Sequence, residues 1–402
     1  MYTADEVFDF VQQEDVKFIR LAFCDVYGRQ KNISIQPSEL MRAFDTGISI
    51  DASAIDGFGD EAKSDLLLFP DPKTLSPLPW RPSRGKVVRM YCDIRRPDGS
   101  PFEKDTRRIL KKAVEYAKER DIAVQFGAEF EFYLFKTDED GNPTKIPFDN
   151  AGYMDVAPED RGENIRREIC LTMLEMGICP ESSHHEEGPG QNEIDFKYGD
   201  ALSSADNAMN FISACKAVAN GNGLYADFSP KPLDGESGNG LHINMSVNCG
   251  DKGDCTDKFM AGVLAHIGEI TAVLNPTENS YARLGEMKAP KYITWSHENR
   301  SQLIRIPAAA GQYSRIELRS PDPTANPYLA FALLIYAGVD GIEKGMTPPE
   351  EVKLNLYKAP QEALSKLKTL PLSLSAAKAA VEESGLVKKA LGMSFTEFFG
   401  IM

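Results

Sequence analysis

The sequence predicts an α+β chain in two parts, a small, mostly β segment over residues 1–100 and a large α/β domain over residues 101–402. Three observations carry this reading. Strand-like and proline-rich stretches fill the first hundred residues, and helical and strand periodicities alternate after them. The length of 402 residues also exceeds the usual size of one domain. With 42% hydrophobic and 26% charged residues, the composition is that of a globular protein with a sizeable core.

Residues 4–13 place Val7, Phe8, Phe10 and Val11 close to helical spacing, with Thr3 as the N-cap. Residues 16–35 alternate apolar and polar on both sides of Asp25-Val26-Tyr27-Gly28, which predicts a β-hairpin. Residues 51–58 and 64–80 read as loop, because their prolines forbid a long regular element. A strand over 87–94 runs into a turn at Pro97-Asp98-Gly99.

The larger part begins with a helix over 105–120, whose apolar stripe contains Ile109, Leu110, Ala113, Val114 and Ala117. Strands are expected at 123–135, 192–196, 241–247, 303–307 and 315–319, and helices at 164–176, 204–219, 258–274 and 328–343. From Pro348 onward the pattern is of short helices separated by Pro and Gly.

Charge and cysteine usage exclude several classes. A formal net charge of −15 repels phosphate, so neither nucleic acid nor an anionic membrane is expected as a partner. Seven cysteines, an odd number without C-x-x-C spacing, indicate neither a disulfide framework nor a zinc ribbon and suit a reducing cytoplasm. The N-terminus is acidic and amphipathic, unlike a secretory signal. The most apolar stretch, Leu329 to Val339, is too short to span a bilayer.

The chemistry concentrates in a few stretches. HHEEGPGQNEIDF, residues 184–196, sets Glu186 and Glu193 on either side of a Gly188-Pro189-Gly190 turn, so the chain can aim both carboxylates at one point. Alone this is an acidic turn. GAEFEFYLF puts Glu129 and Glu131 on one strand face and Phe130 and Phe132 on the other. His242 follows a glycine-rich loop, and Glu317 shares a strand face with Arg315 and Arg319. Adding Arg283, Arg300 and Arg305 makes five arginines within thirty-seven residues, the composition of a clamp for phosphate or carboxylate. Five glutamates with one histidine suit Mg²⁺ or Mn²⁺ better than zinc or copper, and divalent ions beside arginines are what phosphoryl transfer requires. The chain has neither a P-loop nor a Rossmann glycine pattern.

Taken in order, DASAI, GAEFEF, HHEEGPGQNEI, PKP with GNGLH, NSYARL, NRSQLIRIP and RIELRSPDPTANPYLAF resemble the glutamine synthetase family of the bacterial type over nearly the whole chain. The resemblance implies a small N-terminal β-grasp domain before a large catalytic α/β domain, in homo-oligomeric rings with sites between subunits. It also implies ATP-dependent joining of glutamate and ammonia through a γ-glutamyl phosphate. By the same resemblance Glu131, Glu186 and Glu193 would hold a metal near the amino acid, and Glu129, His242 and Glu317 one near the ATP phosphates. Arg283 and Arg319 would clamp glutamate, with Gly238 meeting its amino group and Glu131 and His242 also facing the substrate. Glu181, Ser246, Arg300, Arg305 and Arg315 would contact the nucleotide, with Arg283 and Arg300 also counted among the catalytic groups. Asp51 would reach the ammonium site of a neighbouring subunit.

Departures cluster on the ammonia side. Lys288 stands where the family pattern has a flap glutamate, with Glu286 two residues earlier as its possible substitute in catalysis. Ala54 replaces a serine, Asn244 a histidine, Ser237 an asparagine and Gln312 a lysine, and the chain stops short of a C-terminal ring-locking helix. Tyr357 lies in a segment that carries a modified tyrosine in some relatives. Two readings therefore stand at this point. One is an active ligase for ammonia or a larger amine; the other is a nucleotide-binding member with a regulatory or structural role.

Overall fold

In the computed structural model, residues 2–59, 61–80, 85–308 and 315–400 are described. The expected first helix spans Ala4–Gln13, and its N-terminus is satisfied in both directions. Thr3 Oγ1 accepts from Glu6 N at 3.3 Å, while the Glu6 carboxylate accepts from Thr3 N at 2.6 Å. Strands Val16–Cys24 and Gln30–Ile35 pair antiparallel as the predicted hairpin. The Asp25 carboxylate ties its turn by accepting from the N–H groups of Tyr27 and Arg29.

The segment read as loop is a correction. Ile48–Asp51 and Asp65–Pro70 are strands, paired with each other, and the second also pairs with Lys86–Arg95. Leu66, Leu68 and Pro70 alternate inward with Asp65, Leu67 and Phe69 less buried, and Pro70 is tolerated because it ends the strand. The resulting sheet also contains Lys86–Arg95 running parallel to Val16–Cys24.

A second, larger mixed sheet is built around one long strand, Ala123–Thr137. It pairs antiparallel with Gln191–Phe196 on one side and Leu241–Asn248 on the other. Beyond these lie Pro180–His185 at one edge and Ile316–Leu318, Ile304–Ile306 and Trp295–His297 toward the other. The aromatic face of the long strand packs on helices, with Phe130 5.1 Å from Phe211 of Ala201–Gly221 and Phe126 stacked 4.3 Å from Phe331 of Pro327–Glu343. The face carrying Glu129 and Glu131 points the other way.

Cys249 and Cys255 form one disulfide, which closes the loop before helix Thr256–Leu274 and which the cysteine spacing did not lead us to expect. Among the described residues no helix is long and apolar enough to cross a membrane.

Candidate active site

The register of the large sheet assembles the site. Across the strand pair, Glu193 lies opposite Glu131 and Asp195 opposite Glu129. His242 lies opposite Glu129 on the other side, Glu317 opposite Asn244, and Arg305 opposite Glu317. At the edge, His184 faces Glu193 and Ser182 faces Asp195. Since side chains two apart share a face, these rows form one polar surface from six strands. Like charges directly opposite destabilise a sheet. Two such pairs side by side are relieved by a bound cation, by neighbouring basic groups or by a retained proton.

The GPG turn is what brings Glu186 to this surface. Strands Pro180–His185 and Gln191–Phe196 form a hairpin in which Glu186 N donates to Gln191 O at 2.8 Å and Gln191 N donates to Gly188 O at 2.9 Å. Gly190 has φ +69°, and a Cβ there would fall 2.8 Å from Leu134 O, so only glycine fits. His185 anchors the hairpin from behind. Its Nδ1 meets Glu186 O at 2.6 Å and its Nε2 meets the Asp149 carboxylate at 2.9 Å. Both partners only accept, so the ring donates from both nitrogens; against burial, these contacts raise its pKa.

The electrostatics divide the carboxylates. Burial and then neighbouring Asp195, Glu131 and Glu129 push Glu193 well above the ordinary range. Burial also raises Glu131, and burial followed by the Glu129 charge lifts Asp195 to about 7. Glu129 goes the other way. Burial opposes its ionisation, but His242, Asn244 and Arg315 together bring it to about 2. Its Oε2 is 3.1 Å from His242 Nδ1, and its Oε1 accepts from Asn244 Nδ2 at 2.7 Å.

Arginines compensate the far end. Glu317, 1% exposed, accepts from Arg305 Nη1 at 2.5 Å and from Arg319 Nε at 3.1 Å. Arg319 also donates to Arg300 O. Arg283 is buried and donates to Ser320 O at 2.8 Å, while Arg315 Nε donates to Asn244 Oδ1 at 2.9 Å. Asn244, where the family pattern has histidine, thus links Arg315 to Glu129.

A cavity of about 590 Å³ lies over this surface, and one of about 210 Å³ adjoins it. They share Glu129, Ser182, Asp195 and Arg315. The larger is bordered by Glu131, Glu186, Glu193, Gly238, His242, Arg283, Arg300, Arg305 and Arg319, and the smaller by Glu181 and Ser246. Gly238 and Gly240 let the backbone approach closely: a Cβ at Gly238 would meet Arg283 Cγ at 2.8 Å, and one at Gly240 would meet His242 Nε2 at 3.0 Å.

Three sequence candidates border neither cavity: Glu317, which is buried against Arg305 and Arg319, and Glu286 and Asp51. Glu286 is exposed and does not line the larger one, because the loop presents Met287 and Lys288 instead. Asp51 is exposed on the smaller sheet, where its carboxylate accepts from Ser53 N and Oγ. Gln312 lies outside the described residues. Conversely, His184 and Asp195 join the site without having been singled out. Both sit two residues from a candidate glutamate, so strand periodicity carried the signal.

Ligand-type atoms of Glu129, His242 and Glu317 lie within 4.8 Å of one another. Glu193 belongs to three further such groups, one with Glu131 and His242, one with His184 and Glu186, and one with Glu129 and Asp195. Among the described residues no such group contains Glu131 and Glu186 together, and Glu193 bridges them. These residues fit divalent cations: Glu193 is 8% exposed, faces another carboxylate, and receives no hydrogen bond among the described residues.

Known proteins share this architecture. The family model for the glutamine synthetase catalytic domain matches residues 103–402, and that for the glutamine synthetase beta-grasp domain matches residues 15–97. The chain is 45% identical over 406 residues to a glutamine synthetase of Clostridium saccharobutylicum, an alignment covering 97% of this chain and 92% of that one. It is 43% identical over 405 residues to a glutamine synthetase of Methanosarcina mazei, covering 97% and 91%. Among solved structures, GmaS in complex with ADP superposes with a TM-score of 0.88 at 31% identity, covering 98% of this chain and 94% of that one. With family models matching residues 15–97 and 103–402 and a relative 45% identical over 97% of this chain's length, the chain belongs to the glutamine synthetase family.

Proposed function

We propose that this chain is an ATP-dependent ligase that joins ammonia to the side-chain carboxylate of glutamate. The observation that carries the reading is the double row of opposed carboxylates beside buried arginines under one cavity. It supports Glu131, Glu186 and Glu193 holding one divalent ion, and Glu129, His242 and Glu317 another, with Mg²⁺ or Mn²⁺ as the metal. Bound there, such ions would neutralise phosphate and carboxylate oxygens.

The protein groups supply binding and orientation. Arg283 and Arg319 take the carboxylates of glutamate, Gly238 its amino group, and Glu181, Ser246, Arg300, Arg305 and Arg315 the nucleotide. A γ-carboxylate oxygen attacks the terminal phosphorus of ATP and the bond to ADP breaks. The amine nitrogen then attacks the acyl carbon, the bond to phosphate breaks, and the nitrogen loses its proton to a carboxylate or to water. Asp51 is assigned to the ammonium site of a neighbouring copy in a homo-oligomeric ring, the division between domains is taken at residue 100, and the compartment is the cytoplasm.

The test is phosphate release with Mg²⁺ and ATP, with and without glutamate and ammonium. Release that requires both, with glutamine as product, is expected. Turnover with putrescine or ethanolamine but not ammonium would make it a ligase for a larger amine, and no glutamate-dependent turnover with any of these amines would leave a regulatory or structural role in its place.

A further inference from the structure

The surface of opposed carboxylates ends in a neutral row. Gln191 lies opposite Tyr133, one strand period beyond the Glu193–Glu131 pair, and both side chains are buried. Together they hold two consecutive carbonyls of the loop that precedes strand Leu241–Asn248. Tyr133 Oη donates to Ser237 O at 2.6 Å, and Gln191 Nε2 donates to Gly238 O at 3.1 Å. The second Nε2 proton goes to Asn239 Oδ1 at 3.2 Å, and the Glu131 carboxylate lies 3.5 Å from the same nitrogen. On its other side Gln191 Oε1 accepts from Gly188 N at 2.9 Å, in the turn that leads from Glu186. Gly188 N–H only donates and Gly238 O only accepts, so these partners fix which way the amide points.

The turn is packed directly on this pair. A Cβ at Gly188 would fall 1.9 Å from Tyr133 Oη and 2.9 Å from Gln191 Oε1. Other anchors of the loop lead away from the hairpin: Asn239 Nδ2 donates to Asp227 O at 3.1 Å and Ser229 O at 2.9 Å, and Asn239 N to Pro230 O at 2.9 Å. Among the described residues, every hydrogen bond between the loop 237–239 and the hairpin 180–196 runs through Gln191.

We infer that Gln191 is the positioning residue that couples divalent-cation binding by Glu131, Glu186 and Glu193 to binding of the amino acid at the loop carrying Gly238. A cation that draws the three carboxylates together sets the turn at Gly188, and Gln191 sets Gly238 and Asn239 with it. The linkage is reciprocal: the factor by which the ion tightens glutamate is the factor by which glutamate tightens the ion. The inference rests on reading the cavity as the glutamate site. Gln191 acts through the backbone it holds, and no covalent bond changes.

The experiment is isothermal calorimetry of glutamate binding to the full chain, without nucleotide, in chelator and in saturating Mn²⁺. The ratio of the two Kd values measures the coupling. The parent should bind glutamate more tightly with Mn²⁺. Gln191→Met, which keeps the length and removes the amide, should lower the ratio roughly three- to ten-fold, the loss of one or two neutral hydrogen bonds. Tyr133→Phe loosens the same loop without touching Gln191, so it should weaken glutamate in both conditions and keep the ratio. A merely structural role for Gln191 would do the same. Hydrogen exchange of the parent tests the link without a substitution: Mn²⁺ alone should slow exchange at residues 237–239. No slowing, an unchanged ratio in Gln191→Met, or an equal fall in Tyr133→Phe overturns the coupling and leaves the site assignment standing. A parent that binds glutamate in neither condition overturns the site assignment and the coupling with it.

Discussion

Glu193 carries the conflict on which the site is built. It is buried against Glu131, and its own strand places Asp195 two residues on, against Glu129. Glu193→Gln removes the like-charge opposition while keeping the shape. In chelator, the variant should melt no lower than the parent, as expected where a functional group sits at a stability cost. The parent should gain thermal stability on adding Mg²⁺ or Mn²⁺, by about 2.7 kcal/mol at a hundredfold excess over Kd. The variant should lose most of that gain and at least roughly 100-fold in glutamate-dependent phosphate release, a loss that even outer partners of metal ligands can cause. A thermal-shift titration with each metal reads the first effect; equal metal-induced shifts in both proteins would remove Glu193 from the ligand set. Much of this was legible from spacing, because Glu129, Glu131, Glu186 and Glu193 stand in motifs with a fixed strand period. His184 and Asp195 follow from the same period once the strands are assigned.

At the scale of elements, the helix Thr106–Lys118 starts with a titratable cap. Asp105 is 2% exposed and accepts from Arg108 N at 3.2 Å and from Ile94 N at 3.0 Å. Burial pushes its carboxyl up to about 6, against the lowering effect of the Ile94 N–H. The unfolded chain titrates near 4. Between these values the folded state holds a proton that the unfolded state has released, so this group's contribution to stability rises as pH falls through 6 toward 4. Asp105→Asn cannot titrate. The stability difference between parent and variant should therefore move in the parent's favour by on the order of 2–3 kcal/mol from pH 7 to pH 4, as urea unfolding at each pH would measure. A difference independent of pH would mean that Asp105 is ionised when buried.

Elements also show where local pattern ran out. Asp65–Pro70 read as loop because its prolines and short length hid a strand that exists only through its partners, Ile48–Asp51 and Lys86–Arg95. Pro180–His185 was likewise invisible alone, since it is an edge strand defined by the hairpin that returns along it. Glu286 illustrates the opposite failure. Its place in the sequence put it beside Lys288, but the tight loop turns it to solvent.

Over the whole molecule, the two sheets are joined by a buried ionic network. Arg107 meets Asp206 at 2.9 Å, Asp71 at 3.0 Å and Asp93 at 3.4 Å, while Tyr328 Oη donates to Asp206 at 2.7 Å. Asp71 and Asp93 belong to the smaller part and Asp206 and Tyr328 to helices of the larger. Arg107→Met leaves the buried Asp206 carboxylate without its cation, while Asp71 and Asp93 keep Lys111, and should destabilise by ~3–5 kcal/mol, the usual cost of breaking a buried pair. Calorimetry should show a lower melting temperature and separation of the melting of the two parts; an unchanged single transition would show that apolar contacts alone couple them.

The sequence by itself determined the class of the fold, the face on which each strand carries its charges, and the residue types that suit a hard cation and an anionic substrate. Those are local matters, set by a period of two along a strand and by the chemistry of each side chain. Tertiary structure decided which charges oppose one another, because strand register is a pairing between distant segments. It brought Glu193 against Glu131, made Asn244 the link between Arg315 and Glu129, and turned Lys288 onto Glu187 across the cavity mouth.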